Sequence, residues 1–167
     1  MEAEPRELVV FSLHGEPYAV GVEVVREIVR YTPPGVTAAA RGDVRGLISL
    51  RGTVLPVVDV SRRLGRELEV DSRTRILVLD VSAGTVGLVV SAVEGVQTIP
   101  ADAIGPLPAA ALDTGLGLGD DVATAGERLI LLIDPERLLG PAPQAAAAGD
   151  RARPRLSRFL RPVDGGP

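Results

Sequence analysis

The sequence predicts a mainly β protein of two related lobes, each of roughly five strands closing into a small barrel, with only short helices. Three observations carry that expectation. Apolar residues make up 46% of the chain while aromatic residues make up 2%, so the core must be Val, Leu and Ile. Such aliphatic runs, punctuated by 19 Gly and 14 Pro, favour short strands and many turns. The second observation is an internal duplication. A shift of 68 residues lays Leu77–Val96 on Val9–Ile28 without a gap, and a shift of 75 lays Leu129–Gly140 on Val54–Gly65. Because the two shifts differ, this is a repeated lobe with a changed loop length, not a solenoid. The third is the repeated unit itself, strand–turn–strand–helix–strand–strand. Closing such a unit into a barrel removes its exposed edges.

Taken in order, "LVVFSL" (Leu8–Leu13) reads as a strand, "HGEP" as a turn and Tyr18–Val20 as the start of the return strand. "VEVVREIVR" (Val22–Arg30) spaces Val22, Val25 and Val29 by three, four and seven, with Ile28 beside them. That spacing predicts a short amphipathic helix, on which Val25 and Glu27 point to different sides. "TPPG" stops it, since proline lacks the amide donor. Strands follow at Gly46–Leu50 and Val54–Val58, joined by a turn at Arg51–Thr53. Gly52 fits a turn that needs unusual backbone angles. Pro56 implies an edge or bulge position, and an unpaired edge is a place for a partner to dock. Asp59 caps the amides of the helical turn "VSRRLG", which Gly65 ends, and Asp134 repeats that cap in the second half.

Residues 7–140 read as one domain, with lobe one at about 16–75, lobe two at about 76–140, and strands exchanged near the ends. Gly105–Asp121 is a Gly/Pro-rich connection outside the repeat. Residues 141–167 form a Pro/Ala/Arg-rich tail expected to be mobile. Its arginines (Arg151, Arg153, Arg155, Arg158, Arg161) and its Leu156, Phe159 and Leu160 also admit a reading as a peptide docking on an acidic partner or an anionic membrane surface.

Composition narrows the function. The net charge is −4, which argues against nucleic acid as the main partner. All 18 basic residues are Arg, which removes P-loop and Schiff-base lysines. One His (His14) and no Cys leave metal sites and nucleophilic triads without parts. No run approaches a membrane span and "MEAEPRE" is unlike a signal peptide, so a soluble cytoplasmic protein is expected. Asp120–Asp121 and "GLGLG" lack the companions that metal or phosphate sites need. A small barrel that binds nucleic acid, or another protein-interaction module, is the alternative; nucleic-acid binding requires stacking aromatics and a basic groove, and residues 7–140 offer neither.

"LVVFSLHGEPYAVGVEVVREI", "VRGLISLRGTVLPVVDV", "VGLVVSAVEGV" and "LILLID", in that order, resemble the CheW-type coupling domain of bacterial chemosensory arrays over residues 7–140. The resemblance implies two five-stranded SH3-like β-barrels sharing a core, no enzymatic activity, no catalytic residue, no metal and no cofactor. It implies an adaptor linking the cytoplasmic tip of methyl-accepting chemoreceptors to the regulatory domain of a CheA-type histidine kinase. Such an adaptor sits in the cytoplasm at receptor arrays and meets the membrane only through receptors. It also implies a receptor and kinase interface at Val25, Glu27, Gly46 and Arg51, with Arg51 as the arginine of the L-R-G motif. Ser49, Asp121 and Ala123 depart from the usual residues of the pattern. The duplication leaves Arg51 unexplained, because its equivalent in the second lobe is Gly126.

Overall fold

The computed structural model describes residues 4–112 and 117–139. The expected tail at 141–167 lies outside the described residues. Among the described residues, eleven strands form two sheets. The first repeat supplies β1 (Arg6–Leu13), β2 (Glu16–Gly21), β3 (Val25–Arg30), β4 (Val44–Leu50) and β5 (Thr53–Val58). The second supplies β6 (Arg75–Val81), β7 (Gly84–Val90), β8 (Ala92–Ile99), β9 (Ile104–Pro106), β10 (Asp121–Ala125) and β11 (Arg128–Leu132). The fold is mainly β, with 3-10 turns and one four-residue helix, α1 (Ala109–Leu112).

The strand orders are β3-β6-β7-β5-β4 and β8-β1-β2-β11-β10-β9. Under the two sequence shifts, the first order becomes the first five strands of the second. Each lobe therefore keeps three strands of its own repeat and takes its central hairpin from the other. Hairpin β1–β2 sits among the late strands, and hairpin β6–β7 among the early ones. Registers agree as well: Val57 faces Gly87 in the parallel β5–β7 pair, as Leu132 faces Ala19 in β11–β2. The lobes are thus discontinuous in sequence, with residues 6–21 joined to 92–132 and residues 25–58 joined to 75–90. β9 is a sixth strand, contributed by the Gly/Pro-rich connection.

Exchange explains the unbroken apolar runs. On β1, Val9, Phe11 and Leu13 enter a core shared between the lobes, while Leu8 and Val10 enter the second lobe's own core. On β6, Leu77 and Leu79 face the shared core, while Ile76 and Val78 face the first lobe's own core. A strand buried on both faces has no reason to alternate with polar residues. Phe11 and Tyr18 stack within the shared core, ring centroids 6.3 Å apart. Burial there pushes the Tyr18 hydroxyl above its ordinary pKa, helped by nearby Glu16.

The helix expected over Val22–Arg30 is a correction. Val22–Val24 is one 3-10 turn, and Val25–Arg30 is strand β3 at the end of its sheet. A β-bulge between Val25 and Glu27 inserts Arg26, so Val25 pairs with Leu79 and Glu27 with Val78. The extra residue turns local period two into a spacing of three, which puts Val25 and Ile28 on one face and imitates helical periodicity. β8 carries the same bulge, with Phe11 facing Val93 and Val10 facing Gly95.

Each exchanged hairpin is anchored at its tip. His14 Nε2 and Ser61 Oγ are 3.0 Å apart, and the His14 amide donates to Ser91 Oγ at 3.0 Å. At the equivalent tip the Ser82 amide donates to both carboxylate oxygens of Glu136, at 2.9 and 3.1 Å. Ser61 is buried, and the Asp59 carboxylate accepts from the Ser61 amide at 2.9 Å. His14, Ser61 and Asp59 are therefore a structural tie.

A core shared by both lobes predicts one unfolding transition. Leu88 is fully buried within it. Leu88→Ala is expected to cost about 2–5 kcal/mol, and urea unfolding followed by circular dichroism should still show one transition rather than two.

Candidate functional site

The β4–β5 hairpin pairs Leu50 with Thr53 across a two-residue turn, Arg51–Gly52, with φ of 50° and 84°. Two successive positive φ values define a type I′ turn, whose twist suits a hairpin and whose sequence is normally Asn-Gly or Gly-Gly. The β1–β2 hairpin makes the same turn with His14–Gly15, at 52° and 86°. In the second lobe the position equivalent to Arg51 is Gly126, at φ 66°. The backbone thus calls for glycine in both lobes, yet the first places an arginine there, whose Cβ crowds the following carbonyl. A strained residue retained against that preference points to a use for its side chain.

That side chain reaches β3. Arg51 Nη1 donates to Glu27 Oε2 at 2.5 Å. Glu27 and the hairpin belong to opposite ends of the five-stranded sheet, so the ion pair shows that the sheet curls far enough for side chains from its two ends to touch. Hydrogen bonding to Glu27, then its negative charge, raises the Arg51 pKa above the ordinary guanidinium value. Arg51 remains 70% exposed, whereas Glu27 is 26% exposed. The guanidinium presents five donors in a rigid fork, so those not held by Glu27 face solvent.

Val25 and Glu27 do lie on different sides, through the bulge and not through helical rotation. Val25 packs against the shared core, while Glu27 lies on the face of Val29, which packs against the first lobe's own core. Gly46 is buried at a second bulge, between Val44 and Gly46, with φ 147°. A Cβ there would sit 2.6 Å from the Gly35 carbonyl oxygen. The missing side chain lets residues 34–35 close on β4, where Gly35 and Leu47 exchange hydrogen bonds of 2.8 and 2.9 Å. Gly46 therefore shapes this end of the lobe from within and does not itself face solvent.

Pro56 needs correction too. β5 is an interior strand, between β7 and β4, and not an edge. Its partner across the ladder is Leu47, whose amide and carbonyl are turned toward Gly35, so this pair needs no donor from Pro56. The parallel ladder with β7 begins one residue later, at Val57. Asp59 serves the Ser61 amide, and Asp134 accepts from the Glu136 amide at 3.0 Å. Asp120 is held in two hydrogen bonds by Arg137, at 2.6 and 3.1 Å, which lower its pKa. Among the described residues no cluster of His, Asp and Glu is arranged to hold a metal.

Two features escape a reading of the motif alone. The positions equivalent to Glu27 and Arg51 are Gly95 and Gly126, yet the second lobe makes a similar tie from neighbouring residues. Arg128 at the start of β11 donates twice to Glu94 on β8, each at 3.0 Å. Exposed apolar side chains also recur in equivalent places: Ile28 and Val96 on the outer strands, Val54 and Leu129 on the hairpins. The duplication shifts already aligned both pairs, so the signal was present in the sequence, but exposure is set by which strands the other lobe covers.

Two lobes of one plan, each with an ion-paired hairpin and an exposed apolar pair, define a bilobed β domain built by duplication. The chain belongs to the CheW-like domain family, which it matches over residues 7–142. It is 35% identical over 144 residues to the chemotaxis protein CheW of Rhizobium meliloti, covering 86% of this chain and 92% of that one. It is 32% identical over 143 residues to a probable chemotaxis protein CheW of Rhizobium etli, covering 85% and 92%. The crystal structure of the scaffolding protein TtCheW from Thermoanaerobacter tengcongensis superposes with a TM-score of 0.74 at 27% identity, covering 83% of this chain and 90% of that one.

Two substitutions test these assignments. Arg51→Asn places a residue that tolerates the left-handed region at the turn, and thermal melting should show stability kept or raised despite loss of the ion pair. Gly46→Ala should lower stability by roughly 1–3 kcal/mol or more, read by urea titration, because a collision with backbone is added to an unfavourable φ.

Proposed function

We propose that this protein is a chemotaxis adaptor that couples chemoreceptors to a CheA-type histidine kinase without catalysing a reaction. Membership in the CheW-like family, and similarity to chemotaxis and scaffolding proteins, support the adaptor reading. The observation that carries it into this chain is the strained, exposed Arg51 beside Glu27 at the rim of the first lobe. Burial does not require arginine there, and the turn disfavours it. In this reading Val25, Glu27 and Arg51 form the receptor and kinase contact region, with Gly46 setting the shape of the strand that carries Arg51. The second lobe offers a separate face, so one chain can touch two partners and stabilise a lattice by linking them. The adaptor works in the cytoplasm at receptor arrays, and the membrane enters only through the receptors. No cofactor takes part.

The test separates coupling from folding. In a reconstitution of receptor fragments, kinase and adaptor, wild-type protein should raise ATP-dependent kinase autophosphorylation, and the stable Arg51→Asn variant should lose most of that stimulation. Undiminished stimulation by a folded Arg51→Asn variant would remove Arg51 from the mechanism.

A further inference from the structure

The charged side chains of strand β3 have partners until its last residue. Arg26 meets Asp80 at 3.2 Å, and Glu27 holds Arg51. Arg30 ends the strand, and among the described residues no carboxylate lies within ion-pair reach of it. Its direct partner across the β3–β6 ladder is a second arginine, Arg75. Cβ atoms so placed stand about 4.5–5.5 Å apart, and like charges there destabilise the pair. The duplication supplies a control. The equivalent positions in the second lobe are Thr98 and Glu7, which also face each other. The ladder therefore accepts other residues at this row, and the doubled positive charge belongs to the first lobe.

Arg75 is also held in place without a counter-charge. Its Nη1 donates to the carbonyls of Ser72 at 2.8 Å and Thr74 at 2.9 Å. Among the described residues nothing accepts from its Nε or Nη2, so one edge of an oriented guanidinium is left for a ligand. The row lies on the sheet face that enters the shared core. Arg75 alternates with Leu77 and Leu79 along β6 and pairs with Val90 on β7, and all three of those belong to that core. Ile28, 41% exposed, sits opposite Leu77, about 7 Å along the strand from the arginine row. At this end of the sheet the buried apolar face thus continues outward into Ile28 and then into two arginines.

We propose that Arg30 and Arg75 form a carboxylate-binding site for an acidic, partly apolar segment of a partner protein. Two guanidiniums side by side grip carboxylates through charge-assisted hydrogen bonds, and the bound charge removes their mutual repulsion. Ile28 takes an apolar side chain of the same segment, a contact that a free anion cannot use. Residues 22–90 carry ten arginines against eight carboxylates, a net +2. The surroundings therefore lack the broad positive field that a nucleic acid or an anionic membrane requires. The site also lies apart from the Glu27–Arg51 pair. Glu27 pairs with Val78, on the face of the first lobe's own core, and so points to the other side of β3. The proposal does not rest on the adaptor reading.

The probe is an acetylated peptide that alternates glutamate with leucine, added to the full, isotope-labelled chain in dilute salt. It should shift the Nε–H resonances of Arg30 and Arg75 and reach saturation. Arg30→Thr or Arg75→Thr should each weaken binding roughly tenfold, the loss of one charge-assisted hydrogen bond. Arg73→Thr, which removes an equal charge from the adjoining turn, should change the affinity far less. Arg30→Thr should melt no lower than the wild type, because it installs the residue of the second lobe and relieves the repulsion. Equal weakening by Arg73→Thr, a lower melting temperature for Arg30→Thr, or shifts confined to other arginines would each overturn the proposal. So would shifts of the same size with inorganic phosphate, which would make the row a site for small anions. Shifts that grow with protein concentration in the absence of peptide would also overturn it, because the row would then serve contact between copies. Receptor and kinase are absent from this measurement, so a failed adaptor reading would leave its outcome unchanged.

Discussion

Everything in this molecule depends on the reciprocal exchange of hairpins. Each lobe is completed by two strands of the other repeat, so neither sheet can bury its faces alone. The exchanged strands are apolar on both sides because each must serve two cores, its host lobe's and the one between lobes. The tips are then pinned by polar groups that differ between the halves, His14 with Ser61 and Ser82 with Glu136. Geometry repeats more faithfully than chemistry. The aliphatic core preserves the plan, while surface pairs drift from position to position around it.

This division explains what the sequence disclosed. The two shifts revealed the duplication, the hairpins and the paired Asp59 and Asp134 because short-range rules govern each of them. Strand β3 was missed because its bulge replaced period two with a spacing of three, which on paper is a helix. Pro56 suggests an edge or bulge because a proline argues for an unpaired side, whereas an antiparallel ladder alternates, and the residue opposite, Leu47, turns its amide and carbonyl to Gly35. The Glu27–Arg51 pair joins residues 24 apart in sequence at opposite ends of one sheet. No local pattern announces such a contact; it follows from how far the sheet curls.

The lobes resemble each other in architecture and differ in surface. Both tie an acidic residue on the outer strand to an arginine on the hairpin, so the tie itself belongs to the fold. What sets the first lobe apart is the cost of its location: Arg51 occupies a left-handed position that glycine fills in the second lobe. Charge extends the difference beyond one residue: residues 22–90 carry ten arginines against eight carboxylates, whereas residues 4–21, 91–112 and 117–139 carry three against ten. Similar shapes with dissimilar fields give the two lobes different electrostatic complementarity, which governs encounter and register more than it governs bare affinity.

Hairpin exchange also imposes an order on the birth of the chain. During synthesis β1 and β2 emerge first, but their neighbours β8 and β11 emerge more than 70 residues later. The five strands from Val25 to Val90 are contiguous, so the first lobe can assemble while the opening hairpin still waits. In the finished fold β1 is buried on both faces, yet its hairpin is without its sheet until β8 and β11 have been made. A fold so firmly interlocked when complete is thus at its most vulnerable to aggregation in its opening hairpin, before its last strands arrive.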